Sequence, residues 1–274
     1  RPSRALARYR DTLAARRVPS SCVFRGADFV PSFHIQIPGG DWFRIPNGMY
    51  TYGSGAIRSN KTLWMWGKND HGQVGQNDRA QYSSPAQVGS DTTWAYMAHS
   101  SQSVSATKTD GTLWSWGSNG SGQLGVNDRA SKSSPTQVPG TTWAVAEGKL
   151  TITSAQSFAI KTDGTLWSWG DNYYGELGQN EHDNTTNRSS PVQIPGTTWN
   201  TVSKSGYASA TKTDGTLWVW GYNFGGDLGQ NQPAPSHRSS PVQVPGTTWA
   251  SISRGGQNSY ATKTDGTLWV WGDN

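Results

Sequence analysis

Cysteine, aliphatic side chains and long apolar runs are all scarce in this chain of 274 residues. A single cysteine, Cys22, excludes an internal disulfide framework and a cysteine-built metal site. No stretch approaches the ~20 consecutive apolar residues that a membrane-crossing helix needs. Leu, Ile, Val and Phe together number only 40, a level that accompanies disorder when net charge is high. The formal net charge is only +5, however, and 15 Trp and 10 Tyr stand where the aliphatics are missing. Aromatic side chains of this size bury about 150–250 Å² each, so a core is available. The 33 glycines imply many tight turns.

Positive charge is also absent from most of the chain. Residues 1–26 hold Arg1, Arg4, Arg8, Arg10, Arg16, Arg17 and Arg25 against the one acid Asp11, a balance of +6, and the remainder is close to neutral. The basic character therefore belongs to an N-terminal arm, and the rest of the chain carries no strong nucleic-acid or membrane signal. From Ser3 to Arg17 the arm has helix-forming composition, with Leu6, Tyr9 and Leu13 on one face. A short amphipathic basic helix is expected there. It either packs on its own domain or ends a preceding one, or it uses Arg4, Arg8, Arg10, Arg16 and Arg17 to dock on an acidic protein, nucleic-acid or membrane surface.

What is abundant is repetition. Tryptophan pairs recur at Trp64/Trp66, Trp114/Trp116, Trp167/Trp169, Trp218/Trp220 and Trp269/Trp271, spaced by 50, 53, 51 and 51 residues. A second series, Trp42, Trp94, Trp143, Trp199 and Trp249, runs in phase with it. In Leu-Trp-x-Trp the period of 2 places both indoles on one face of a strand, which must be covered. The preceding Thr-Asp-Gly, as at Thr109-Asp110-Gly111, reads as a hairpin turn. After the second Trp come an Asn-rich turn and Gly-x-Leu-Gly or a variant, as at Gly122-Gln123-Leu124-Gly125. A polar loop then leads to Ser-Ser-Pro-x-Gln-Val/Ile, where proline marks an edge strand. Each unit is a small antiparallel sheet that cannot stand alone, and radial stacking buries its faces while protecting its edges.

The stretch Lys-Thr-Asp-Gly-Thr-Leu-Trp-Ser-Trp-Gly-Ser-Asn-Gly-Ser-Gly-Gln-Leu-Gly at 108–125 resembles the RCC1 (regulator of chromosome condensation) repeat family. The likeness extends over residues 34–274, and its style is similar to bacterial and phage-borne members. It implies an all-β, RCC1-like β-propeller of five ~51-residue repeats over 34–274, preceded by the arm at 1–33. Residues 34–42 match the outer strand and second-series Trp found at Pro191 to Trp199, and the last repeat reaches Trp271-Gly272 ahead of its own outer strand. Five blades closed by that N-terminal strand are the direct reading; an incomplete part of the family's usual seven-bladed ring is the alternative.

No catalytic motif accompanies the repeats. His34, His71, His99, His182 and His237 fall at unrelated repeat positions, and neither a nucleophile elbow nor a phosphate loop is present. The pair His182-Asp183 is the best metal candidate, yet two neighbours in one loop are far from a coordination sphere. No cofactor and no enzyme activity is expected. Function is expected where the repeats differ. From the Gly-x-Leu-Gly turn to the next Ser-Ser-Pro proline there are 10 residues in the first two repeats, then 13 and 12. These longer loops hold His182, Asp183, His237 and Arg238, and the turns before them hold Tyr173, Tyr174, Tyr222 and Phe224. Together they are the candidate binding residues, with simple packing as the competing role of the aromatics. The expected function is a non-catalytic binding or structural module in a larger assembly, a phage virion component or a bacterial surface-attachment protein that contacts a protein partner or host surface. The alternatives are a protein inhibitor acting through the loop face and, as the family resemblance implies, nucleotide exchange on a small GTPase. The latter would need an inserted wedge that the uniform spacing leaves no room for.

Overall fold

The computed structural model describes residues 41–44, 53–232, 236–255 and 258–273, all within one compact unit, Gly39–Asn274. The expected arm helix and the closing strand at residues 34–40 lie outside the described residues. Five antiparallel sheets follow one another along the chain, as a β-propeller requires. The first contains β1 (Trp42–Arg44), β2 (Gly53–Arg58), β3 (Leu63–Gly67) and β4 (Tyr82–Gln87). The second contains β5 (Trp94–His99), β6 (Ser103–Lys108), β7 (Leu113–Gly117) and β8 (Lys132–Val138). The third contains β9 (Leu150–Ile152), β10 (Gln156–Ile160), β11 (Leu166–Gly170) and β12 (Arg188–Ile194). The fourth contains β13 (Trp199–Ser205), β14 (Tyr207–Lys212), β15 (Leu217–Gly221) and β16 (Arg238–Val244). The fifth has β17 (Trp249–Gly255), β18 (Asn258–Lys263) and β19 (Leu268–Gly272). The first sheet meets the second through β2 and β5, and from there consecutive sheets touch through their first strands, β9 meeting β5 and β13, and β13 meeting β17. The proline-bearing strands β4, β8, β12 and β16 occupy sheet edges, where a missing N–H costs nothing.

The hairpin before each Trp pair is held by a side chain rather than by an unusual aspartate backbone. Gly111 alone takes a positive φ of 79° there. Asp110 accepts from the Thr112 N–H at 2.9 Å and its hydroxyl at 2.7 Å, and the Thr112 hydroxyl in turn accepts from the Trp114 indole at 3.0 Å. The same chain of bonds recurs at Asp163, Asp214 and Asp265. These aspartates are therefore turn residues.

Each Trp pair shares one face of its strand, and the second-series Trp sits against both rings. Trp143 lies 6.2 Å from Trp167 and 6.0 Å from Trp169 by ring centroids, in edge-to-face arrangements favoured by the ring quadrupole. A cation completes the cluster: the Lys161 ammonium is 5.0 Å from the Trp143 ring and 4.3 Å from the Trp167 ring. Lys108, Lys212 and Lys263 repeat it, and Arg58 takes the place in the first sheet. Burial of the pair is thus unequal. Trp116, Trp169 and Trp220 are fully enclosed, while the first Trp of each pair, capped by the lysine, is half-buried or exposed.

Sheet is joined to sheet by the second indole. Trp116, Trp169, Trp220 and Trp271 donate to the carbonyls of Gln73, Gln123, Glu176 and Asp227, the variable residue of the preceding repeat's Gly-x-Leu-Gly turn, at 2.9, 2.9, 2.7 and 2.8 Å. The second glycine of that turn makes room for the ring. A Cβ on Gly125, whose φ is 71°, would lie 2.6 Å from the Trp169 indole nitrogen. Among the described residues nothing pairs with the outer edge of β19, and Leu268 is 64% exposed where its counterpart Leu217 is at 0%.

Replacing Trp169 by Ala removes a fully buried ring and its inter-sheet bond, and is expected to cost about 3–5 kcal/mol. Trp269→Ala, at a site 49% exposed, is expected to cost clearly less. Urea midpoints of the two variants at unchanged slope measure the difference.

Candidate functional site

The repeats diverge most where the third and fourth sheets turn from their Trp strands toward their edge strands. In both, a buried asparagine builds the turn from inside. Asn172 accepts from the Leu177 N–H at 2.9 Å, and Asn223 from the Leu228 N–H at 3.0 Å. Their amide groups reach across to the long loops, Asn172 to the Glu181 carbonyl and Thr186 hydroxyl, Asn223 to the Ser236 hydroxyl. Each asparagine amide is thereby engaged through both its oxygen and its nitrogen, and while Glu176, Leu177, Asp227 and Leu228 turn inward, other side chains of the two turns lie nearer the surface.

Those side chains are aromatic and form one continuous group. Tyr173 packs edge-to-face on Tyr174 at 4.6 Å, and Tyr174 packs edge-to-face on Tyr222 of the next sheet at 4.9 Å. His237 lies 4.7 Å from Tyr174 and stacks on Tyr222 at 5.3 Å, and Tyr222 is parallel to Phe224 at 6.2 Å. The five rings are unequally enclosed. Tyr174, Tyr222 and His237 are half-buried and bridge two sheets, whereas Tyr173 and Phe224 are 48% and 60% exposed at the flanks.

The other candidates take different places. His182 is exposed in the long loop and close enough for its charge to hold the His237 pKa below its ordinary value, an effect to which burial contributes most. Asp183 caps the 3-10 turn Asn184–Thr186, accepting from the Thr185 N–H at 2.7 Å and hydroxyl at 2.6 Å. That commitment, which also lowers its pKa, spends the carboxylate on the loop. Arg238 opens β16 opposite Gly221, and its Nε is enclosed without a hydrogen-bond partner. No group of three or more His, Cys, Asp or Glu side chains suited to a metal ion occurs among the described residues.

Two features of the site lie outside the candidate set read from the sequence. The first is Glu176, nearly buried at the variable position of Gly-x-Leu-Gly, whose Oε2 accepts from the Tyr174 N–H at 2.8 Å. Gln73 and Gln123 hold the equivalent place, accepting from the turn while donating to the Ser101 and Ser154 carbonyls of the next sheet. A carboxylate cannot donate, and burial raises the Glu176 pKa, with Lys204 opposing. The change from Gln to Glu was visible on aligning the repeats. The second is a cavity of about 450 Å³ along the first strands of the sheets, lined by Met97, His99, Leu150, Ile152, Val202 and Lys204 among others. It needs the tertiary fold to exist at all.

Because the folded state holds Glu176 protonated more readily than the unfolded chain does, its contribution to stability is greatest in acid and is lost as pH rises from about 4.5 through the raised folded value. Glu176→Gln is expected to stabilise the protein at pH 7 and to match wild type at pH 4. Denaturant unfolding of both proteins across that range, compared as a difference, isolates this group from the other carboxylates.

Comparison with known proteins gives one family and many structural likenesses, of which three follow. The sequence profile described as "Regulator of chromosome condensation (RCC1) repeat" matches residues 62–106, 110–146, 163–206 and 214–262, more than half of the chain. Yeast RCC1 (Prp20), solved bound to Kap60, is similar at 18% identity with a TM-score of 0.68, over 81% of this chain and 54% of that one. Prp20p from Saccharomyces cerevisiae, in a structure whose description adds its binding to Gsp1p and histones, gives 18% and 0.67 over 81% and 56%. Human WBSCR16 gives 20% and 0.63 over 81% and 59%. The chain spans a little over half the length of these structures. No curated protein matches the sequence.

Proposed function

The chain belongs to the RCC1 repeat family, and from that premise we propose that it is a non-catalytic binding module whose loop face on the third and fourth sheets docks a protein partner. One observation carries this reading. Two exposed aromatic rings, Tyr173 and Phe224, flank a packed row of three others on turns whose buried asparagines are fully engaged. Pre-ordered aromatics of this kind are the residues that dominate protein–protein binding energy, since little side-chain freedom remains to be lost on contact. A protein partner is favoured over nucleic acid because the neighbouring charge is mixed: Arg188 is paired with Glu181, and Asp183 lies beside them. The descriptions of the yeast relatives couple those propellers to proteins, Kap60, Gsp1p and histones, which supports the same class of partner here.

The setting we infer is a larger assembly, a virion or a bacterial surface. Its support is the Ser-Ser-Pro-x-Gln-Val/Ile-Pro-Gly-Thr-Thr-Trp style of the repeats. Arg4, Arg8, Arg10, Arg16 and Arg17 would serve as a second point of attachment to an acidic surface.

Selection of a random peptide display library on the immobilised protein tests the docking face without a known partner. Enriched peptides are expected to lose about thirtyfold or more in affinity for the Tyr173→Ala/Phe224→Ala variant, the 2 kcal/mol or more of a hot spot, while its unfolding midpoint stays near wild type. Peptides that bind the double variant as well as the parent would refute the proposal.

A further inference from the structure

His237 holds a position in the fourth sheet that an asparagine holds in the third. In the third, the Asn172 N–H donates to the Asn187 side-chain oxygen at 2.8 Å. In the fourth, the Asn223 N–H donates to His237 Nδ1 at 2.9 Å. Both bonds tie a long loop to the head of the Asn-rich turn, so the same mechanical link is made once by a group that cannot titrate and once by a group that can.

With Nδ1 engaged as an acceptor, the neutral imidazole carries its proton on Nε2. An imidazolium has N–H groups at both nitrogens, and two donors cannot share one hydrogen bond. Protonation therefore breaks the tie to Asn223 and places a cation between Tyr174 and Tyr222, the two rings it packs on. The titratable or charged groups around it are His182 on the loop of the third sheet, Arg238 next in the chain, and the hydroxyls of Tyr174 and Tyr222.

We propose that His237 is a pH-operated latch for the aromatic loop face: neutral, it ties the long loop of the fourth sheet to Asn223 beside Tyr174 and Tyr222, and protonated, it releases Asn223 and frees the loop that carries it. Burial and His182 keep the ring neutral at physiological pH. Since its folded pKa is depressed, the stability it lends is present above about pH 6.5 and is lost as pH falls through the folded value. Release of a bound protein in a mildly acidic compartment is the functional consequence, and that consequence alone rests on the docking role proposed above.

The latch can be read without any partner. Long-range ¹H–¹⁵N spectra of the wild type are expected to show His237 as the Nε2–H tautomer at pH 8. The Asn223 amide and the Tyr174 and Tyr222 ring signals are expected to shift with its titration midpoint. His237→Asn, which installs the residue used at position 187, is expected to abolish those acid shifts and keep the Asn223 amide hydrogen-bonded, with the Tyr174 and Tyr222 ring signals displaced by loss of the stacked imidazole at every pH. Asn187→His is expected to transfer an acid transition to the Asn172 amide. An Nδ1–H tautomer in the wild type, which requires no variant to fold, would overturn the proposal. So would titration of His237 without movement at Asn223, or acid shifts that survive in His237→Asn. For the display-selected peptides, one pH unit below the midpoint about a tenth of the molecules retain the latch, so affinity should fall about tenfold in the wild type and not in His237→Asn. Peptides that ignore Tyr173 and Phe224 would end the docking reading and leave the latch standing.

Discussion

Everything in the described unit depends on one bond repeated between sheets, from the indole N–H of the second Trp in a pair to a turn carbonyl of the preceding repeat. It does two things at once. The ring fills the cleft between sheets, and its only polar atom finds the acceptor that a buried N–H requires. The acceptor is a backbone oxygen, so the residue that supplies it is free to vary, as Gln73, Gln123, Glu176 and Asp227 do. The glycine two residues further on is not free, since a Cβ at Gly125 would meet the Trp169 indole.

That division of labour leaves few places for function. Thr112, Asp110 and Trp114 satisfy one another inside a single hairpin. Lys161 is spent on two indole faces, where a cation held over aromatic rings also closes the outer side of the cluster. What remains are the variable turn position, the residues after the Asn of each turn, and the loop that returns to the edge strand. All three change together in the third and fourth repeats. Tyr174 and Glu176 belong to one turn and are joined through the Tyr174 N–H. Tyr222, Phe224 and His237 belong to the next, and the aromatic row crosses between the two sheets. An aromatic surface built this way inherits its framework from the repeat and its chemistry from the departures.

The repeat length, the hairpins, the edge position of the proline strands and the sharing of one face by each Trp pair were legible because each follows from a local rule: period, turn chemistry or a missing N–H. The role of Lys108 and its counterparts was not, because a lysine immediately before a Thr-Asp-Gly turn looks like a solvated strand end. Only pairing β5 with β6 sets it over Trp94 and Trp114. Aspartate at the turn was legible as a turn residue, whereas the bonds its side chain accepts from Thr112 were not. Tyr173, Tyr174, Tyr222, Phe224 and His237 could be named as candidates from repeat differences. That Tyr174 and Tyr222, 48 residues apart, touch one another could not be read from either repeat alone.

By itself the sequence determined that the chain is a repeat of small antiparallel sheets with an indole core, because tryptophan periodicity and glycine placement admit little else. Tertiary structure decided which of two adjacent indoles is enclosed and which is capped by a lysine. It also decided that two turns from neighbouring repeats merge into one aromatic row, and that a histidine takes over a hydrogen bond made elsewhere by asparagine. The physical reason is the same in each case. Alternation and turn chemistry act over a few residues, whereas the partner of a buried donor, the neighbour of a ring and the environment of an imidazole are set by contacts between sheets.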